Sequence, residues 1–255
     1  MSLRKPTLDE WFLAHQLRAL ARDSFFNPGT LEVDVTAIVE RHRARGSRLS
    51  YPALVIKALA LTAREVPEIN RAYLRTPLGD RVVEFDHVSV NLPVALSENG
   101  KSYLSAIVVR DADGKSVAAI ADEIRAAQAR PMNDTKVTKI VARRPNTLLW
   151  RSILSAIHFA AYRWPGMGAM GAGGLSVSSI IEHSDDPPVF RATSFGPTAM
   201  TVLITGVRRV EGRHRLELGL GLNHVAMTGL TFRRMTTVLH DLLATDDADA
   251  LAAFD

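Results

Sequence analysis

The chain has 255 residues, of which 47% are apolar and 23% are charged, a composition typical of a folded globular protein and not of a disordered chain. Its net charge of +4, from 31 basic and 27 acidic residues, is too small to indicate nucleic acid binding. The absence of cysteine excludes disulfides, thiolate metal sites, a cysteine nucleophile and a covalent thioester on this chain. We therefore expect a cytoplasmic protein.

Neither a leader nor a membrane span is predicted. The first twenty residues lack the uninterrupted apolar core of a signal peptide. The longest apolar stretch, residues 147–164, is interrupted by four polar residues and predicts a buried or interfacial helix: Arg151, Ser152, Ser155 and His158.

The N-terminal half alternates between helix and strand patterns. Residues 8–22 predict an amphipathic helix, and alternation through Leu31, Val33 and Val35 predicts a short strand. A short helix follows and stops at Gly46. Residues 51–67 are apolar nearly all round, which is typical of a helix buried on several sides.

The middle of the chain predicts four strands and a helix. Residues 69–76 and 81–85 form one strand pair around a Leu-Gly-Asp turn. Residues 87–96 and 103–113 form a second pair, and the Asn-Gly between them is a strong turn signal. The following helix, residues 115–130, shares one apolar face: Val117, Ile120, Ile124 and Ala127.

The C-terminal half predicts two helices broken near Pro145 over residues 135–164, and then three strands over 175–181, 198–207 and 214–222. A last helix, residues 230–243, places Phe232, Met235, Leu239 and Leu242 inward and Arg233 and Arg234 outward. Because several strands follow one another directly, the pattern favours an α/β fold with a mixed β-sheet covered by helices. No linker composition divides the chain, so we expect a single domain over residues 1–255.

Three polar or glycine-rich segments could each bind a ligand or have only a structural role. The glycines of 166–171 fit a dinucleotide loop, but a helix precedes them and a strand follows, which is the reverse of the order that such a loop needs. Two prolines indicate that the acidic segment with Glu182, His183, Asp185 and Asp186 is an exposed turn and not a metal site. A basic segment fits a solvated face best, then a phosphate site or a membrane surface: Lys136, Lys139, Arg143, Arg144, Arg151 and Arg163.

Two segments carry candidate catalytic groups. The strand Gly-Gly-Leu-Ser-Val-Ser-Ser offers hydroxyls, with Ser176 and Ser178 on one face and Ser179 on the other. A hydroxyl beside a reacting carbonyl can stabilise an oxyanion, although such serines are more often ordinary strand residues. His224 follows a strand and precedes a helix that Thr228 is placed to cap. The residues alone leave open whether His224 is a general base or a core histidine.

The segment His-Val-Ala-Met-Thr-Gly resembles the H-x-x-x-D-G signature of the CoA-dependent acyltransferase superfamily, which includes chloramphenicol acetyltransferase and the catalytic domain of dihydrolipoamide acyltransferases. The helix that ends in Pro-x-x-Asn, with Asn70 in place, is similar to that family's buried helix. The strand pair after it and the Ser178 strand resemble the family's core as well. The resemblance runs from about Leu31 to the C-terminus.

The resemblance implies a two-layer α/β sandwich, usually a homotrimer, with the active site between subunits. His224 would be the general base, and Ser178 of a neighbouring subunit would donate to the oxyanion, with Asn223, Thr228 and Gly229 supporting the motif. CoA or acyl-CoA would be a substrate, a small or carrier-bound molecule the acceptor, and no metal or tightly bound cofactor is implied.

Three departures from the family pattern stand out. We expect no lipoyl domain, and therefore a free-standing relative. Thr228 replaces the signature aspartate, so the loop is held differently, its arginine partner is absent too, or activity is impaired. The segment 132–173 is expanded, and we expect its apolar side chains to line a substrate pocket: Trp150, Ile153, Leu154, Ile157 and Phe159. The competing hypotheses are a trimeric scaffold without catalysis and, less favoured, a protein that binds a membrane surface.

Overall fold

The computed structural model describes residues 4–23, 25–76, 78–98, 101–129, 141, 143–163, 173–180, 192–193 and 198–255. The strands there are β1 (Phe26–Asp34), β2 (Arg71–Thr76), β3 (Gly79–Glu84), β4 (Val90–Glu98), β5 (Lys101–Val109), β6 (Leu175–Ser179), β7 (Met200–Val210) and β8 (Arg213–Asn223). The α-helices are α1 (Leu8–Asp23), α2 (Thr36–Ala44), α3 (Tyr51–Glu65), α4 (Val117–Gln128), α5 (Leu148–Arg163), α6 (Gly229–Leu243) and α7 (Ala248–Ala252).

The main sheet is mixed, as the sequence predicted. In the described part of the chain it has six strands in the order β1-β8-β7-β6-β4-β5. Strand β6 runs parallel to both β4 and β7, and the other neighbours are antiparallel. The β2–β3 hairpin pairs only with itself in the described residues, beside the start of β6. The α/β prediction is confirmed.

The core lies between one face of this sheet and the helices α3, α4 and α6. Helix α3 is buried nearly all round, as its sequence indicated, and even Lys57 is buried. The Lys57 ammonium donates to the main-chain oxygen of Asp113 at 2.7 Å, and burial lowers the pKa of this lysine. The predicted inward faces of α4 and α6 are confirmed at Val117, Ile120, Met235 and Leu239.

Strand boundaries differ from the prediction by a few residues, most clearly at β1 and β5. Strand β1 begins at Phe26 and ends at Asp34, because its pairing with β8 extends back to Asn223. It tolerates Pro28 because it is an edge strand, where a missing N–H removes no ladder bond from a second neighbour. Strand β5 ends at Val109, earlier than predicted, because Asp111 adopts a positive φ of 48° and begins a tight turn.

Helices α1 and α5 pack against each other and apart from the main core. Trp11 and His15 of α1 stack with ring centroids 5.1 Å apart, and His15 meets His158 of α5 edge-on at 5.3 Å. Helix α5 confirms the second of the two helices predicted around Pro145. The first falls almost entirely outside the described residues.

Candidate active site

Strand β8 carries the chain to the candidate histidine. Its leucines at alternate positions face the core, which turns Glu217, Gly219, Gly221 and Asn223 to the opposite face of the sheet. The strand ends at Asn223, and His224 begins a turn that leads to α6. The side chain of His224 is exposed, so it is not a core histidine.

Asn223 anchors the turn after β8 by accepting hydrogen bonds from main-chain amides. Its main-chain oxygen accepts from the amides of Ala226 at 2.9 Å and Met227 at 3.2 Å. Its side-chain Oδ1 accepts from the amides of Phe25 at 3.3 Å and Val225 at 3.2 Å. The amide of His224 donates to the main-chain oxygen of Phe25 at 2.7 Å. These bonds hold the backbone of the turn at Phe25 and Asn223, while the His224 imidazole is exposed.

Thr228 caps α6, as the sequence predicted. Its hydroxyl accepts from the amide of Thr231 at 3.3 Å and lies 3.1 Å from the Thr231 hydroxyl. Gly229 opens the helix, and a Cβ there would meet nothing within 4 Å, so no close approach requires this glycine. Threonine thus satisfies the helix end without a carboxylate.

Arg71, the first residue of β2, holds the far side of the same turn. Its Nε donates to the main-chain oxygen of Ala226 at 2.6 Å. No local sequence pattern predicts this contact, since Arg71 and Ala226 are 155 positions apart. The one available signal was a basic residue directly after the Pro-x-x-Asn segment. Arg71 therefore holds the turn through a hydrogen bond from its guanidinium to a main-chain carbonyl.

An open pocket of about 320 Å³ lies against the turn and is lined by Arg71 and residues 224–229. The Phe25 ring lies beside His224, with its centroid 6.4 Å from that of the imidazole, and Phe25 is 65% exposed. A ligand in this pocket would meet an imidazole, a guanidinium and apolar surface. An imidazole can accept a proton from such a ligand, which is the role of a general base.

Ser178 lies on β6, on the same sheet face as Asn223, and is half-buried. The strand register places it level with Gly219 of β8, with Leu203 between them. From Gly219 to Asn223 a strand rises about 13 Å, and two strand spacings add about 10 Å sideways. One chain therefore does not bring Ser178 and His224 together. Ser176 is mostly buried and donates to the main-chain oxygen of Asn91 at 3.2 Å.

The apolar residues predicted to line a substrate pocket are spread around α5. Leu154 is fully buried, whereas Ile157 is 37% and Phe159 45% exposed. Trp150 is partly buried beneath the Arg144 guanidinium, 4.8 Å from its ring centroid, and Ile153 is partly buried. The pocket at His224 is lined by other residues, and a role for Trp150, Ile153 and Ile157 stays a prediction.

The described part of the basic segment contacts the protein itself. The Arg151 guanidinium lies 5.4 Å from the Trp11 ring centroid, and its Nε donates to Asn146 at 2.7 Å. The predictions for Lys136, Lys139, the glycine run 166–171 and the acidic segment 182–186 fall outside the described residues, as does the side chain of Arg163.

Within the described ranges, no three acidic or histidine side chains lie close enough to hold a metal ion. The described helices also include none that is long and apolar enough to cross a bilayer.

Residues 30–138 match the family model of the 2-oxoacid dehydrogenases acyltransferase (catalytic domain). Over 80 residues the chain is 39% identical to dihydrolipoyllysine-residue acetyltransferase component 3 of the pyruvate dehydrogenase complex, mitochondrial, of Arabidopsis thaliana. That alignment covers 31% of this chain and only 13% of the relative. The family match ends before Ser178 and His224.

Solved structures share the fold. The cubic core of the pyruvate dehydrogenase multienzyme complex aligns with a TM-score of 0.62 and 19% identity, over 99% of this chain and 94% of that one. The dihydrolipoamide acetyltransferase of Azotobacter vinelandii aligns with a TM-score of 0.64 and 18% identity, over 99% of this chain and 94% of that one. Chloramphenicol acetyltransferase aligns with a TM-score of 0.53 and 16% identity, over 95% of this chain and 99% of that one. The predicted resemblance and fold class are confirmed.

For the Azotobacter vinelandii enzyme, crystallographic and enzymatic work addressed the role of a serine, a histidine and an asparagine in the catalytic mechanism, the asparagine lying four positions after the histidine.

Proposed function

We propose that this chain is an acyltransferase in which His224 is the general base and Ser178 of a neighbouring subunit stabilises the oxyanion. The observation that carries the proposal is the exposed imidazole of His224, held by an anchored turn at the edge of a pocket. The fold, shared with acetyltransferase cores, supports the reaction class.

The proposed reaction needs one base and one hydrogen-bond donor. A neutral His224 takes the proton from the thiol, hydroxyl or amine of the acceptor, which attacks the carbonyl carbon of an acyl thioester. The tetrahedral oxyanion accepts a hydrogen bond from the Ser178 hydroxyl. As the intermediate collapses, the carbon–sulfur bond breaks, and the leaving thiolate receives the proton from the His224 imidazolium.

A second copy of the chain supplies the missing donor. Ser178 and His224 are separated by more than 10 Å along and across the sheet, as the usual strand dimensions require. A closed ring of identical subunits can bring the serine of one copy to the histidine of the next. Any cubic assembly contains three-fold axes, so the cubic core among the structures of this fold supports a homotrimer as the unit.

Acyl-CoA is the proposed donor, and a small or carrier-bound molecule is the proposed acceptor. The name of the Arabidopsis relative, a dihydrolipoyllysine-residue acetyltransferase, supports a dithiol on a carrier as the first acceptor to examine. The proposed chemistry needs neither a metal ion nor a tightly bound cofactor, because the base and the oxyanion donor are side chains.

Thr228 is compatible with this activity. In the Azotobacter vinelandii enzyme an uncharged asparagine, and not an aspartate, lies four positions after the histidine. In this chain Thr228 caps α6 and Arg71 holds the turn through the Ala226 carbonyl, so neither contact needs a carboxylate at position 228. The alternative, a scaffold without catalysis, predicts no turnover by the wild-type protein.

Mass-spectrometric measurement of acyl-CoA consumption tests the proposal, with a panel of acyl-CoAs and with dihydrolipoamide, other thiols, alcohols and amines as acceptors. We expect His224→Ala to lower acyl transfer by more than about a hundredfold, the usual scale for a general base. His240→Ala, which replaces an exposed histidine on α6, is the matched control and should leave the rate unchanged. Wild-type protein without turnover across the panel would favour the scaffold.

A further inference from the structure

Arg71 reaches the His224 turn from a different part of the fold. It is half-buried at the start of the β2–β3 hairpin, and its Nε donates to the main-chain oxygen of Ala226, two residues after His224. Its side chain also lines the pocket beside the imidazole. The contact therefore joins the hairpin base to the turn that carries the proposed base.

The backbone of Arg71 is fixed by its neighbours. The side-chain amide of Asn70 donates to the main-chain oxygens of Phe85 at 3.0 Å and His87 at 3.1 Å. The main-chain amide of Phe85 donates to the main-chain oxygen of Asn70 at 3.1 Å. At Gly174 a Cβ would lie 2.6 Å from the Arg71 nitrogen, so the start of β6 packs directly on this backbone. Arg71 thus extends from a rigid base.

We propose that Arg71 is a positioning residue for His224, and this inference rests on the proposed function. A guanidinium stays protonated throughout catalysis, so Arg71 moves no proton. Its charged N–H makes a stronger bond to a carbonyl than a neutral donor does. With Ala226 held on one side and Asn223 on the other, the turn keeps the imidazole at one place relative to the pocket.

The step that depends on this placement is proton transfer from the acceptor to the His224 imidazole. Loss of the Arg71 contact frees the Ala226 side of the turn while the anchors at Asn223 remain. The imidazole then spends less time at hydrogen-bond distance from a bound acceptor. We therefore expect kcat to fall while KM for both substrates stays within about threefold, since a small misplacement of a reacting group can cost about a hundredfold in rate.

The first experiment compares Arg71→Met with Arg81→Met. Arg81 is on the same hairpin and also donates to main-chain oxygens, those of Asp80 and Leu78, but within the hairpin itself. Arg71→Met should lower kcat about 10- to 100-fold, and Arg81→Met should not. In Arg71→Ala, added ethylguanidinium at concentrations that leave the wild type unaffected should restore part of kcat. Unchanged kcat in Arg71→Met would overturn the inference.

The second experiment is independent of activity and measures amide hydrogen exchange by NMR in the whole 255-residue chain. Arg71→Met should speed exchange at the amides of Ala226 and Met227 at least tenfold relative to both the wild type and Arg81→Met, at equal thermal stability. Equal exchange in all three proteins would overturn the positioning role. A wild type without turnover would refute the proposed function, and these exchange rates would still decide whether Arg71 orders the turn.

Discussion

At the scale of single residues, Thr228, four positions after His224, caps α6 where the family signature has an aspartate. An aspartate there would cap the helix and could also pair with an arginine. Thr228 caps the helix through its hydroxyl, and Arg71 donates to the main-chain oxygen of Ala226 in the same turn. The helix cap and the arginine contact are thus made here by a hydroxyl and a main-chain oxygen, without a carboxylate at position 228.

Substitutions at Thr228 test this division. Thr228→Ala removes the acceptor for the Thr231 amide and should lower the free energy of unfolding by about 1 kcal/mol. Thr228→Asp retains a cap acceptor and should change that free energy by only a few tenths of a kcal/mol. Urea denaturation of the three proteins measures both differences. A loss in Thr228→Asp as large as that in Thr228→Ala would show that the cap is not what this residue provides.

At the scale of elements, two segments meet with no room between their backbones: the start of β6 and the base of the β2–β3 hairpin. A Cβ at Gly174 would lie 2.6 Å from the nitrogen of Arg71 and 2.8 Å from the carbonyl carbon of Asn70. Backbone atoms cannot rotate away as a flexible side chain can. The approach that places Arg71 therefore depends on glycine at this position.

Gly174→Ala should consequently lower the free energy of unfolding by about 3 kcal/mol, the upper end of the usual range for overpacking. Gly114→Ala is the matched control, because a Cβ at Gly114 meets nothing within 4 Å, and it should stay within about 0.5 kcal/mol of the wild type. Denaturant melts of both variants give the comparison. Equal stability of the two would mean that β6 and the hairpin separate at little cost.

The junction of β1 and α2 carries a pH-sensitive contact. The Thr36 hydroxyl donates to the Asp34 carboxylate at 2.6 Å, and Arg213 donates to its other oxygen at 2.9 Å. These contacts, the hydroxyl first, lower the pKa of Asp34 from 3.8 to about 2. A lowered pKa contributes stability that is fully present above the unfolded value and is lost as pH falls toward the folded one.

Asp34→Asn retains an acceptor for Thr36 but has no charge to lose. Its deficit in the free energy of unfolding relative to the wild type should be constant above pH 5 and should shrink from about pH 4 toward pH 2. Urea denaturation at a series of pH values follows this difference. Asp122→Asn, at a carboxylate that is 70% exposed, should show almost no deficit at any pH. A deficit at Asp34 that does not change with pH would refute this account of the junction.

The elements that the sequence predicted best are those whose pattern is local. Alternate leucines in β8 and the apolar face of α4 at Val117 and Ile120 are repeated within a few positions, and they pack as expected. The sequence predicted the β2–β3 hairpin itself, but not that it pairs only with itself in the described residues. The Arg71 contact was not predictable from a local pattern, because it joins residues 155 positions apart. The motif located His224, but only the fold showed that it is exposed and what holds its turn.

At the scale of the whole molecule, the distance between Ser178 and His224 decides how the proposed site is built. The register of β6, β7 and β8 places the two residues at different levels of the sheet and two strands apart. Either they act in different sites, or a second copy completes the site. The account proposed for this protein requires the second arrangement, and it can be tested by mixing two inactive variants.

The most direct measurement is the acyl-transfer activity of mixed oligomers made by co-expressing His224→Ala and Ser178→Ala chains. Each variant alone should be at least about a hundredfold less active than the wild type. In a closed ring with random assembly, one interface in four joins an intact His224 to an intact Ser178, so the mixture should recover about a quarter of wild-type activity. A mixture no more active than the two variants measured separately, beside an active wild type, would contradict the shared site.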